Sequence, residues 1–128
     1  MVKVLIVEDS YMIAAEIEGI LRRAGHGVVG LAAYVEDALA LAARHRPDVA
    51  FVDLQLAGEI DGIEAAMRLV EQYGCAIIVA TGSPAAVVES SRIHDLPCTV
   101  LHKPFSEQDV LAAMDGCLVD GQAGGKPA

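Results

Sequence analysis

Asp53 stands where an apolar run ends, after Val49-Ala50-Phe51-Val52. Two more carboxylates, Glu8 and Asp9, hold the same place after Val2–Val7, Thr81 follows Ala76–Ala80, and Lys103 follows Thr99–His102. Each is ordinary by itself. A Glu-Asp pair after a strand commonly caps or solvates a loop, and an Asp can simply make a turn. A Thr can cap a helix, and Lys-Pro is a common exposed turn. As a set they make a chemical centre. Crowded carboxylates repel, and some must take up protons unless a cation intervenes. A hard divalent ion with oxygen ligands answers that need, and magnesium is the usual one where phosphates are handled. Lys103 adds a fixed positive charge and Thr81 a hydroxyl donor, the groups that stabilise a transferring phosphoryl group. Asp53, the central carboxylate, can attack as a nucleophile and form an acyl phosphate.

Whether these residues meet depends on the elements that carry them. Val2–Val7 is apolar and rich in β-branched residues apart from Lys3, as expected of a strand buried on both faces. From Ser10 to Ala24 the period lengthens, with Ile13, Ile17, Ile20, Leu21 and Ala24 on one helical face and Gly25 as a stop. Val28–Ala33 reads as a strand and Val35–His45 as an Ala- and Leu-rich helix ended by Pro47. Val49–Val52 is the third strand. After the loop punctuated by Gly58 and Gly62 come a helix through Ile63, Ala66, Met67 and Val70, a Gly74 stop, and a strand over Ala76–Ala80. Ser83-Pro84 opens a weaker helix to about Ile93. The last strand is Thr99–His102. The last helix starts at a Ser106/Asp109 capping box and carries Val110, Leu111, Met114 and Leu118.

Strand and helix alternate five times. This predicts an α/β fold: a doubly wound, five-stranded parallel (βα)5 sheet of flavodoxin-like order 2-1-3-4-5. In that order strands one and three are neighbours, and ligands bind outside the carboxyl ends of the strands. Glu8, Asp9, Asp53, Thr81 and Lys103 all emerge there. The expected domain is residues 1–119, with a Gly-rich, disordered tail at 120–128.

Composition narrows the function. The chain has 128 residues, enough for one domain, and 54 % are hydrophobic, enough for a core. Only 4 % are aromatic and none is Trp, so Ala, Val, Leu and Ile must fill that core. A formal net charge of -9 argues against direct nucleic-acid binding. Cys75, Cys98 and Cys117 show no C-x-x-C spacing, so neither a disulfide framework nor a zinc site is read from them. His26, His45, His94 and His102 lack metal-ligand spacing. The first apolar run is too short for a signal peptide or a membrane span, and a cytoplasmic location is expected. P-loop and nucleophile-elbow motifs are absent.

The stretches V-E-D-S (7–10), F-V-D-L (51–54), V-A-T-G (79–82) and L-H-K-P-F (101–105), in this order, resemble the receiver domain of bacterial two-component response regulators. The resemblance runs from about Val2 to Val119. It implies that Asp53 is the phosphoacceptor, that Asp9 binds Mg2+ directly and Glu8 through water, and that Gln55 offers its backbone carbonyl. Thr81 and Lys103 would contact the phosphoryl oxygens, and Lys103-Pro104 is cis in the family. The donor would be a sensor histidine kinase or a phosphotransfer protein. Output would pass to a downstream protein partner or end in a phosphate sink, without nucleic acid or membrane. The chain would be a signalling switch rather than an enzyme, either complete as a single domain or part of a longer regulator.

Three departures stand out. Val100 replaces the usual aromatic residue three positions before the lysine, so the familiar threonine–aromatic coupling cannot operate in its usual form. Ala57 replaces a common proline, and Gly62 falls one residue late. Ala80-Thr81-Gly82 partly resembles an alphaproteobacterial single-domain subgroup with an F-A-T-G motif, although Val79 and Pro84 differ from it. Two other readings compete. A pseudo-receiver would bind a partner without phosphorylation. A metal-dependent phosphohydrolase would commonly carry a second Asp where Gln55 stands.

Overall fold

The computed structural model describes residues 2–54, 62–82 and 98–125, with side chains described only as far as Cys117 in the last segment. The strands are β1 (Lys3–Val7), β2 (Gly27–Ala32), β3 (Val49–Asp53), β4 (Ala76–Thr81) and β5 (Cys98–His102). The described helices are α1 (Tyr11–Arg23), α2 (Val35–His45), α3 (Gly62–Tyr73) and α4 (Glu107–Gly125). The strands form one sheet in the order β2-β1-β3-β4-β5, all pairs parallel, as expected. The helix expected from Ser83 to Ile93 lies outside the described residues.

Strand alternation sorts the core into two layers. Leu5, Val7, Ala50, Val52, Ile77 and Val79 meet Ala38 and Ala42 of α2 and Ala65, Ala66 and Leu69 of α3. Val4, Ile6, Val49, Phe51 and Ile78 meet Ile17, Ile20 and Leu21 of α1 and Val110 and Met114 of α4. All five residues of β3 are buried, so the strand that ends in Asp53 is the most enclosed part of the sheet. Alanine on α2 and α3 lets those helices approach closely. Gly30 does the same on β2, where an added Cβ would lie 2.7 Å from Leu41 Cδ1.

Local signals set the element ends. Ser10 caps α1, its Oγ accepting from the Ile13 N–H at 3.4 Å. The capping box at α4 is reciprocal. Asp109 N–H donates to Ser106 Oγ at 3.1 Å, and Ser106 N–H donates to Asp109 Oδ2 at 2.8 Å. Helix α2 runs Val35–His45, as expected, and is closed by Arg46, a left-handed cap residue with φ 51° just before Pro47. Helix α4 continues to Gly125, whereas a disordered tail was expected from residue 120. Extending an existing helix costs far less than nucleating one, so α4 can run past its last described core contact, Cys117.

At the amino ends of the strands, Lys3 N–H donates to Asp48 Oδ2 at 3.0 Å, and Lys3 Nζ donates to the His45 carbonyl at 2.8 Å. Cys75 and Cys117 are buried free thiols, and Cys98 is a half-buried one. No helix among the described residues is long and apolar enough to cross a membrane.

Phe51 is the largest fully buried side chain in a core built of small residues. Phe51→Ala is expected to cost about 3–5 kcal/mol. Urea unfolding would show this as a lower midpoint at unchanged slope.

Candidate functional site

Three backbone hydrogen bonds carry the sheet's ladders one step past the strands, each at a site residue. Glu8 N–H donates to the Ala32 carbonyl at 2.9 Å, beyond the end of β1. Leu54 N–H, next to Asp53, donates to the Ala80 carbonyl at 3.2 Å. Lys103 N–H donates to the Thr81 carbonyl at 2.8 Å, beyond the end of β5. The backbones of Glu8, Asp53 and Lys103 are therefore fixed by the sheet itself. The Lys103-Pro104 peptide is cis, as the resemblance implies.

The side chains converge. One ligand oxygen each from Glu8, Asp9 and Asp53 fall within 4.8 Å of one another. Lys103 Nζ lies 3.2 Å from Glu8 Oε1 and 3.4 Å from Asp53 Oδ2, so a single ammonium bridges two carboxylates. Glu8 Oε2 accepts from the Ser10 N–H at 3.1 Å. Glu8, Asp53 and Thr81 are 5 %, 4 % and 1 % exposed, whereas Asp9 is open to solvent. Burial pushes the Glu8 carboxyl up to about 7, reinforced by the hydrogen bond with Asp53 and that residue's negative charge; the Ser10 N–H acts in the opposite direction.

An all-oxygen set of three carboxylates fits a hard divalent cation such as Mg2+. The exposed Asp9 leaves room for the waters such an ion retains. A cleft of about 140 Å³ opens beside the cluster, lined by Glu8, Asp9, Tyr11, Leu31 and Ala33 among others. Tyr11, which lines it, and the next residue, Met12, are 75 % and 81 % exposed.

Glu8, Asp9, Asp53 and Lys103 are thus brought together as the sequence predicts. Thr81 ends β4, one residue beyond Ala80, the register partner of Asp53. Gln55 lies outside the described residues. Val100 is 37 % exposed on the edge strand β5, so no aromatic ring stands at that position. Sequence reasoning missed Ser10 as cap and as donor to Glu8; serine directly before a helical period was the available signal. It also missed the exposed Tyr11-Met12 pair, which an amphipathic count of α1 would have left on the outer face.

The pattern of one family, the response regulator receiver domain, matches residues 4–115. The chain is 29 % identical over 117 residues to the phyllosphere-induced regulator PhyR of Methylorubrum extorquens, covering 91 % of this chain and 43 % of that protein. It is 33 % identical over 114 residues to the transcriptional regulatory protein PdtaR of Mycobacterium tuberculosis, covering 88 % and 55 %. The chain spans about half the length of these curated relatives. The PhyR receiver domain of Erythrobacter litoralis superposes with a TM-score of 0.84 at 30 % identity, over 92 % of this chain and 90 % of that one. PhyR of Brucella abortus superposes with a TM-score of 0.85 at 30 % identity, over 95 % and 49 %. The recurrence of PhyR agrees with the resemblance to the alphaproteobacterial subgroup.

The raised Glu8 carboxyl has a pH consequence. Between about 4.5 and 7 the native protein keeps a proton that the unfolded chain releases, so stability falls as pH rises through that window. In metal-free protein this loss is expected to be on the order of a few kcal/mol, with Glu8→Gln flattening it. Thermal melts from pH 4 to 8 with a chelator, on both proteins, check the expectation; equal slopes would refute it.

Proposed function

The chain belongs to the response regulator receiver domain family, and we propose that it works as a phosphorylation switch with Asp53 as phosphoacceptor. The observation that carries this reading is the lysine bridge. A buried aspartate at the centre of the sheet edge has a fixed cation within 3.4 Å and two more carboxylates around it. A carboxylate oxygen of Asp53 attacks the phosphorus of a phosphohistidine. The O–P bond forms, the N–P bond breaks, and the imidazole leaves. Lys103 moves from its carboxylate partners to the incoming phosphoryl oxygens, and Thr81 donates its hydroxyl to another. Glu8, Asp9, Asp53 and the Gln55 backbone carbonyl would hold Mg2+, the Gln55 part resting on resemblance alone. The ion, when bound, offsets negative charge on the phosphoryl group.

The donor is a sensor histidine kinase or a phosphotransfer protein, and the receiver itself supplies most of the transfer chemistry. Tyr11 lines the acidic cleft, Met12 follows it in the first turn of α1, and both are exposed, which makes them the natural contacts for a protein donor. Output runs through a downstream protein partner or ends in a phosphate sink. A net charge of -9 disfavours direct nucleic-acid contact, and we place the protein in the cytoplasm without a membrane role. One observation favours a second reading: exposed Val100 removes the usual aromatic coupling, as a pseudo-receiver would tolerate.

Intact mass after incubation with acetyl phosphate and magnesium separates the two readings. One added phosphoryl group is expected, absent from Asp53→Ala and from a chelated sample. Lys103→Ala is expected to slow the gain by about 10²-fold. Absence of both phosphoryl gain and magnesium binding in the wild type would favour the pseudo-receiver. In a second assay, the double change Tyr11→Ser and Met12→Ser is expected to slow transfer from a cognate phosphotransfer protein while leaving acetyl phosphate turnover unchanged. Equal slowing with both donors would remove these residues from the docking surface.

A further inference from the structure

Asp53 is gripped from two sides. On one side the ladder to β4 holds it, through the Asp53–Ala80 register and the Leu54 N–H bond to the Ala80 carbonyl. On the other side the first residue of α3, Gly62, lies directly against the Asp53–Leu54 peptide. A Cβ added at Gly62 would run into the Asp53 carbonyl oxygen, and would sit 2.6 Å from Leu54 Cα and 2.9 Å from the Asp53 carbonyl carbon. All three obstacles are backbone atoms, so no rotamer change can make room. Gly62 N–H also points to the Leu54 carbonyl, at 3.4 Å. The φ of Gly62 is not in the left-handed region, so close approach is what this position demands of the residue.

We propose that Gly62 is a positioning residue: its missing side chain lets α3 press on the Asp53–Leu54 peptide and sets the carboxylate against Lys103 and the other acids. This rests on Asp53 being the phosphoacceptor. Any side chain at 62 forces a separation, and there are two ways to take it. Helix α3 could withdraw, but Ala65, Ala66 and Leu69 are fully buried against β3 and β4, so withdrawal opens the core. The Asp53–Leu54 peptide could shift instead, which at the end of the strand strains the Leu54 N–H bond to the Ala80 carbonyl but opens no cavity in the core. The second route moves the nucleophile. A displacement near 1 Å at a reacting group costs on the order of 10²-fold in rate.

Gly30 supplies a matched control. A Cβ there also meets an atom closer than 3 Å, Leu41 Cδ1 at 2.7 Å, but that obstacle is a flexible side chain between β2 and α2. Gly62→Ala, Gly30→Ala and the wild type are compared in three ways. Urea unfolding gives stability. Calorimetry gives magnesium affinity without donor. Intact mass gives the rate of acyl phosphate formation at saturating acetyl phosphate, where the Asp53 oxygen bonds phosphorus and acetate leaves. The expected result is a rate lower by about 10- to 100-fold in Gly62→Ala, with weakened magnesium binding. Gly30→Ala should keep wild-type values in both and lose only stability. A Gly62→Ala protein that is destabilised but matches the wild type in rate and affinity overturns the proposal, since α3 has then withdrawn. A variant that stays unfolded even in trimethylamine oxide overturns it too, because the residue then serves the fold alone. If the wild type neither binds magnesium nor gains a phosphoryl group, the phosphoacceptor reading falls and this proposal falls with it; a competent wild type isolates the test to Gly62.

Discussion

The ammonium group of Lys103 is the contact on which the site depends. The fold brings three carboxylates to neighbouring strand ends, and two of them, on Glu8 and Asp53, are almost fully buried. Like charges at that spacing, away from water, would force each other apart or into the protonated state. One lysine within 3.4 Å of both buried acids offsets part of the repulsion, and the remainder raises the Glu8 carboxyl. The centre is consequently under-supplied with positive charge. That shortage is what a divalent ion would relieve, and a bound ion would in turn loosen the hold of the two acids on the lysine.

The sheet makes this crowding tolerable because it leaves the participants little freedom to separate. Ladder bonds fix the backbones at Glu8, Leu54 and Lys103, and helices close over both faces, through alanines on one and larger aliphatic residues on the other. The ion pair from Arg23 to Glu107, 2.7 Å long and exposed, links α1 to α4 across one face. An exposed pair of this kind contributes little. Rigidity comes from the packed β-branched rows beneath the site.

Much of this was legible in the sequence because it follows from period and placement. Apolar runs alternating with helical faces define parallel strands, and polar residues at the ends of β1, β3, β4 and β5 must then share one edge. The carboxylate cluster and Lys103 emerged from that rule together with the motif order. What was not legible arises from close approach and local backbone geometry. Gly62 reads as one more loop glycine, because nothing in a sequence shows which backbone will lie against it. The end of α2 was legible from Pro47, but not the left-handed conformation of Arg46 that closes it, which usually falls to glycine or asparagine. The continuation of α4 through glycines defeats intrinsic propensity, which penalises each of them.

The clasp of Lys3, His45 and Asp48 lies at the amino ends of the strands, a full strand length from the acids. It ties the start of β1 to the segment entering β3, and the Ala76 N–H bond to the Asp48 carbonyl at 3.0 Å extends the tie to β4. The molecule thus has a chemically quiet pole opposite its reactive one. For anyone building a sensor, that pole is the attachment point of choice: a dye, bead or surface linker placed there leaves the cleft facing outward, so immobilised copies would all present the same end to solution.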